Sequence, residues 1–295
     1  MVHGIAYVTL VFIWSTTPLA IKWSAQDVSF AGAIFWRILL SAVLALLILR
    51  VRGESLWGYR GALRYYLVAA FGIAPNFLLV YWASLWIPSG LISAIFSTTP
   101  FVMGLLSWCW LGKQVFTVQR VFALLLAVAG LLVVFADQWS QVDENSIYGL
   151  VAMVGSVLLF AISSTWLQTM EVSPPVLQKT TGGLCFSVPP LALAWWFLDG
   201  QLPWPVSLEG GLSILYLGVF GSLVGFAIYY FLLHRLSAYV VSTVGMASPV
   251  FALLLGNTLA GEALTASIWA GTGLVLFGLT LYHMHNIGTI FNNKK

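Results

Sequence analysis

The chain has 295 residues, of which 60% are hydrophobic and 7% charged, with a formal net charge of +3 and a mean hydropathy of +0.96. So few charges cannot cover a water-exposed surface, which excludes a soluble globular protein. No basic cluster with interleaved aromatics points to nucleic acid. Stretches of about 20 apolar residues, the length that spans a bilayer core, predict an all-α integral membrane protein with ten transmembrane helices. They fall near 4–23, 30–49, 64–86, 91–111, 118–136, 147–168, 180–198, 210–233, 238–260 and 266–284.

Positive charge accumulates in cytoplasmic loops. With the N-terminus inside, the inner loops and tail hold Arg50, Arg52, Arg60, Arg64, Lys113, Arg120, Lys179, Arg235, Lys294 and Lys295, whereas the outer loops hold only Lys22. Both termini are therefore expected in the cytoplasm, and the compact loops point to the inner (cytoplasmic) membrane of a bacterium. The two cysteines, Cys109 and Cys185, fall within or at the ends of predicted helices, where buried thiols are common and disulfides are not. No metal or cofactor site is expected.

In chain order, helix one carries Trp14 and Ser15, then Pro18, then Lys22 at its outer end as an anchor or gate residue. Helix two contains Arg37, the one formal charge well inside a helix. An intramembrane cation is a functional candidate by default. It has two readings here: a structural bond to carbonyls of a neighbouring helix, or a contact for a substrate carboxylate. Helix three brings Pro75, Asn76 and Tyr81; an amide in hydrocarbon either bridges helices or lines a cavity. Helix four carries Ser97, Thr98 and Thr99 ahead of Pro100 near mid-membrane. A proline there frees a carbonyl, and the hydroxyls either satisfy it or face a ligand. Helix six adds Ser163, Ser164, Thr165 and Trp166.

Helix eight holds Gly218, Gly221 and Gly225, small residues that permit close helix approach, followed by Tyr229, Tyr230 and His234. Helix nine holds Ser242, Met246, Ser248 and Pro249, and Glu262 follows at an outer turn where it caps helix ten. The expected cavity thus draws on Trp14, Ser15, Asn76, Tyr81, Ser97, Thr98, Trp166, Tyr229, Tyr230, Ser242, Met246 and Ser248. The expected hinges are Pro18, Pro75, Pro100 and Pro249, and the charged candidates are Lys22, Arg37, His234 and Glu262.

Two segments correspond at a constant offset of 149: Ser93 falls on Ser242, Pro100 on Pro249, Gly112 on Gly261 and Tyr81 on Tyr230. Five helices per copy make the second copy enter from the opposite face, so the repeats are predicted to be inverted, an arrangement by which many carriers expose one site to either side. The expected units are 1–136, 147–285 and a cytoplasmic tail at 286–295.

The stretch IWSTTPLAIKW from Ile13 to Trp23, with FWRILLSA from Phe35 to Ala42, resembles the start of the EamA repeat of the drug/metabolite transporter superfamily. Its Trp-Ser, Lys and Arg landmarks correspond to Trp14-Ser15, Lys22 and Arg37. The run from Ser248 to Leu281 resembles the end of the second repeat. Lys113 departs from the Glu that many members carry, while Glu262 keeps it. The resemblance implies a ten-helix carrier with a central cavity for small metabolites, moved in many members outward, and it says little about substrate.

No Asp or Glu falls at the middle of a predicted helix. Proton-coupled carriers commonly use a buried carboxylate, so the expected function is alternating-access transport, by exchange or facilitation, of a small neutral or zwitterionic, amino-acid-like metabolite. A broad-specificity or proton-coupled drug exporter is the rival. Intramembrane hydrolysis would need an activated nucleophile or metal ligands, and His3, His234, His283 and His285 lie at helix ends without carboxylates beside them. The expected partners are the bilayer and a small-molecule substrate, with the protein a monomer or homodimer.

Overall fold

The computed structural model describes residues 2–112, 117–139, 145–171, 173–202, 206–235, 241, 244–261 and 265–292. These form helices α1 (Val2–Asp27), α2 (Phe30–Val51), α3 (Ala62–Ala83), α4 (Ser89–Phe96), α5 (Thr99–Leu111), α6 (Val118–Trp139), α7 (Ser146–Thr169) and α8 (Val176–Leu198). There follow α9 (Leu208–Tyr216), a π-helical segment (Leu217–Val224), α10 (Gly225–Arg235), α11 (Val244–Ala260) and α12 (Ala266–Asn292).

Among the described residues, seven segments are long and apolar enough to cross a membrane: His3–Gln26, Phe30–Val51, Ala62–Ala83, Ser89–Trp110, Ser146–Thr169, Val176–Leu198 and Leu208–His234. Helices α6 and α12 add the shorter apolar stretches Val118–Gly130 and Ala266–Gly278, and α11 has 17 residues. Large apolar side chains such as Phe12, Leu47, Leu125 and Phe197 face outward, a surface suited to acyl chains rather than water. The chain is an all-α, multi-pass membrane protein.

Helix α3 is packed between α7 and α8, and α2 lies on α8 and on the π segment. Helix α1 runs against α11 and against α9 and α10, while α4 meets α11 and α5 meets α7. Small residues set these distances. A Cβ on Gly72 would come within 2.3 Å of Ser163 Oγ, joining α3 to α7, and one on Gly90 within 2.3 Å of a Leu253 methyl, joining α4 to α11.

Helices α6 and α12 pair with each other around a small separate core of Phe101, Ala123, Ala127 and Val275. Their backbones touch through two glycines: a Cβ on Gly130 would lie 2.5 Å from Gly271 O, and one on Gly278 2.6 Å from Ala123 O. Lipid offers no hydrophobic drive between helices, so this kind of close backbone contact is what holds them together.

Three elements differ from the sequence expectation. The fourth predicted helix is two helices, α4 and α5, broken at Ser97 and Thr98. The eighth contains eight π-helical residues. The seventh begins at Val176, so Lys179, expected in a loop, is inside the bundle and 3% exposed. In addition, α12 continues helically to Asn292, past the expected end at 284.

Candidate functional site

A cavity of about 100 Å³ lies among α1, α2, α3, α4, α5, α7, the π segment, α10 and α11. Aromatic rings form much of its wall: Trp14, Phe77, Phe96, Phe160, Phe226 and Tyr229. Three of them interlock, with Trp14 centred 6.3 Å from Phe160 and 5.5 Å from Tyr229, and Phe160 5.6 Å from Tyr229. The polar wall comprises Thr17, Arg37, Ser93, Ser97, Thr99 and Ser248, and among the described residues no Asp or Glu belongs to the lining.

Arg37 is the charge of this cavity, and its side chain is fully buried. Its Nε donates to Ser222 Oγ at 2.7 Å, and its Nη1 makes a long 3.4 Å contact to Tyr81 Oη. The guanidinium carbon stands 4.7 Å from the Phe77 ring centroid and 5.9 Å from that of Tyr81, within reach of attraction by both π-faces. Among the described residues, Nη2 has no hydrogen-bond partner.

The π segment makes room for that group. A Cβ on Gly221 would stand 3.3 Å from Nη2, so only a glycine leaves the guanidinium uncrowded there. Ser41 Oγ donates to Gly218 O at 2.8 Å one turn further along, fastening α2 to the same segment. π-helical insertions recur at functional sites. This one turns Ser222 and Gly221 together toward Arg37.

The hydroxyls on the α4–α5 break all turn inward on the backbone. Ser97 donates to Ala94 O at 2.6 Å and Thr98 to Ile95 O at 2.6 Å, and Thr99 donates to Phe96 O. Phe96 O is the carbonyl that Pro100, lacking an N–H, leaves without its helical donor. Of the two roles open to these hydroxyls, donation goes to the backbone. Their oxygen lone pairs remain available to accept. Thr17 and Ser248 follow the same pattern, donating to Ile13 O at 2.8 Å and to Val244 O at 3.3 Å.

Of the residues singled out from sequence, Trp14, Pro18, Arg37, Ser97, Pro100, Tyr229 and Ser248 come together on this cavity. Asn76 instead bridges helices, donating to Gly72 O at 3.0 Å and accepting from Ser156 Oγ of α7. Ser15 is buried and bonds Val11 O. Tyr81 is buried behind Arg37, and Tyr230 packs against Tyr65 and Phe226 away from the lining.

Thr98 and Pro75 are partly buried outside the lining, and Lys22 is half-buried there as well. Helix α11 continues through Pro249, which is buried but does not line the cavity. Trp166 is 48% exposed on the bundle exterior and takes no part in the cavity; it lies on the face of α7 opposite Ser164 and Thr165. His234 is exposed. Ser242 and Glu262 lie outside the described residues, as does the side chain of Met246.

Several lining residues carry no distinctive signal in the sequence: Phe77, Phe160, Phe226, Val80 and Ile92 are apolar positions in uniformly apolar helices. Lys179 had the signal of its charge, but its helix starts earlier than expected. Its Nζ donates to Ser173 Oγ at 2.7 Å and lies 5.2 Å from the Tyr65 ring centroid. The rings of Phe77, Phe226, Tyr230 and Tyr65 run in sequence between Arg37 and Lys179.

Residues 4–136 and 147–284 each match the model of the EamA-like transporter family. An uncharacterized transporter of Archaeoglobus fulgidus is 26% identical over 91% of this chain and 94% of its own. The uncharacterized inner membrane transporter YedA of Escherichia coli K12 is 23% identical over 94% and 89%, and protein PagO of Salmonella typhimurium 22% over 89% and 86%. A solved crystal structure superposes with a TM-score of 0.72 at 16% identity, covering 97% of this chain and 98% of that one, and so shares the fold. With both halves matched and these relatives aligned almost end to end, the chain belongs to the EamA-like transporter family and is a membrane transporter.

Proposed function

We propose that the protein moves a small, neutral or zwitterionic, amino-acid-like metabolite across the inner membrane by alternating access, in the outward direction. The observation that carries this reading is the cavity, walled by both halves of the chain, whose lining among the described residues couples aromatic faces and hydroxyl acceptors to one cation and no acid. Ligand sites of this kind are concave and mostly apolar, with a few placed polar groups. The volume of about 100 Å³ has room for roughly eight water-sized groups at about 12 Å³ each, the scale of a small metabolite.

Ten spans in two inverted five-helix repeats, units 1–136 and 147–285, form the framework of this reading, with both termini cytoplasmic. Helix neighbours support it. Under an exchange of the first five spans with the second five, the α3–α7 contact maps onto that of α1 with α9 and α10. By the same exchange the contact of α5 and α4 with α7 maps onto that of α1 with α11. The left-handed glycines that end α5 and α11, Gly112 at φ 59° and Gly261 at φ 64°, stand at the repeat offset.

Absence of an acid from the lining favours exchange or facilitation over proton coupling. Counterflow in proteoliposomes, with and without an imposed pH gradient, tests the reading. Exchange of an amino-acid-like solute that ignores the gradient supports it. Flux that appears only with the gradient replaces it with a proton-coupled exporter.

A further inference from the structure

We propose that Nη2 of Arg37 is the docking point for a substrate carboxylate, so that the cavity selects small monocarboxylates with apolar bodies over their neutral isosteres. The inference deepens the transport reading above and rests on it for the purpose of the cavity.

Three observations converge on this atom. First, Arg37 is fully buried, and an arginine held in hydrocarbon without a counter-ion is costly enough that such residues are kept for a purpose. Its recorded partners among the described residues are hydroxyls and ring faces, with no carboxylate. Second, two of its three nitrogens are assigned, Nε to Ser222 and Nη1 to Tyr81, and they fix the plane of the guanidinium. The third, Nη2, has no partner, although buried polar groups are nearly always paired. Third, the side chain lines the cavity, and the π segment presents Gly221 where any larger residue would crowd Nη2.

The remaining lining completes a carboxylate ligand rather than competing for the cation. Thr17, Ser97, Thr99 and Ser248 have given their hydrogens to backbone carbonyls, so they approach a ligand as acceptors and leave donation to Arg37. These four acceptors suit an ammonium group next to the carboxylate, and the Trp14, Phe160 and Tyr229 rings suit an apolar body. A carboxylate on Nη2 makes a charge-assisted hydrogen bond in a low-dielectric site.

Titration calorimetry on the full chain in lipid nanodiscs tests the proposal with three probes sharing one branched body: leucine, 4-methylvalerate and 4-methylvaleramide. Wild type is expected to bind both carboxylates at least about tenfold more tightly than the amide, the scale of a hydrogen bond to a charged group. Arg37→Gln is expected to abolish that preference, with Arg37→Lys restoring part of it. Because Arg37 also holds Ser222 and Tyr81, Gly221→Ala provides a second variant that keeps the charge and brings a methyl to 3.3 Å from Nη2 and 3.2 Å from a Leu217 methyl. It is expected to weaken the carboxylates several-fold more than it weakens the amide.

Equal affinity of wild type for 4-methylvalerate and 4-methylvaleramide overturns the proposal, as does the absence of binding heat with either carboxylate or a carboxylate preference that survives in Arg37→Gln. The transport reading fails separately. A carboxylate preference without counterflow would overturn transport and keep the site, whereas counterflow of acid and amide at equal rates would keep transport and overturn the site.

Discussion

Arg37 on α2 donates from Nε to Ser222 Oγ on the π segment across 2.7 Å, with both side chains fully buried. This bond joins the two halves of the chain at the cavity wall and sets the direction in which the rest of the guanidinium points. Ser222→Ala would leave a buried charged donor unpaired, which costs about 1–3 kcal/mol or more. The expected result is a lower thermal-inactivation midpoint in detergent and weaker carboxylate binding by calorimetry. Ser222→Thr, which keeps the oxygen, should recover most of both.

Pro100 and Pro249 occupy equivalent positions in the repeat but act differently. At Pro100 the helix breaks into α4 and α5 and Thr99 takes the stranded Phe96 carbonyl, while α11 passes through Pro249 unbroken. Pro100→Ala supplies an N–H to that carbonyl and should straighten the break, slowing counterflow several-fold without loss of folded protein. Pro249→Ala should stiffen α11 and slow flux to a lesser degree. Flux rates measured side by side at matched reconstitution levels check the ranking.

Trp166 faces outward with 48% of its surface exposed, whereas Trp14 packs between Phe160 and Tyr229 on the cavity. Trp166→Ala is expected to leave ligand affinity within about twofold of wild type. Trp14→Ala, which opens the aromatic wall, should weaken binding by about tenfold, the scale on which truncating an aromatic binding contact costs more than about 1 kcal/mol. The same calorimetric titration reads both.

The α6–α12 pair depends on backbone contact at Gly130 and Gly278. Gly130→Val or Gly278→Val drives methyl groups into a neighbouring backbone, an overpacking that costs about 1–3 kcal/mol or more. Both variants should lower the inactivation midpoint. Ligand affinity should hold at temperatures where the protein stays folded, because neither helix lines the cavity.

The membrane class and most of the apolar spans are legible in the sequence because bilayer thickness fixes a span length. The cation at Arg37, the proline at Pro100 and the rings of Trp14 and Tyr229 are visible as residue types that hydrocarbon tolerates only for a reason. The other half of the wall is not. Phe77, Phe160 and Phe226 sit on helices that are apolar all round, and since lipid is as apolar as a leucine-lined core, no hydrophobic period separates a cavity face from a lipid face.

That same lack of contrast explains why Trp166 looked equivalent to Trp14. The π segment was illegible for another reason: its register depends on Arg37, Ser41 and Thr17 packing against it from other helices, which no local pattern encodes. Lys179 falls in a loop on the sequence reading because the seventh apolar stretch starts at 180, whereas Pro175 caps α8 and admits the lysine into its first turn.

Passage of solute through the Arg37 cavity is read out by counterflow of labelled leucine in proteoliposomes. Wild type should be compared with Met103→Trp, which fills the cavity from α5. Exchange by wild type should be unaffected by a pH gradient and largely abolished in the filled variant while that variant stays folded. Leucine exchange no faster than in protein-free liposomes, or equal exchange by the two proteins, would contradict passage through this cavity.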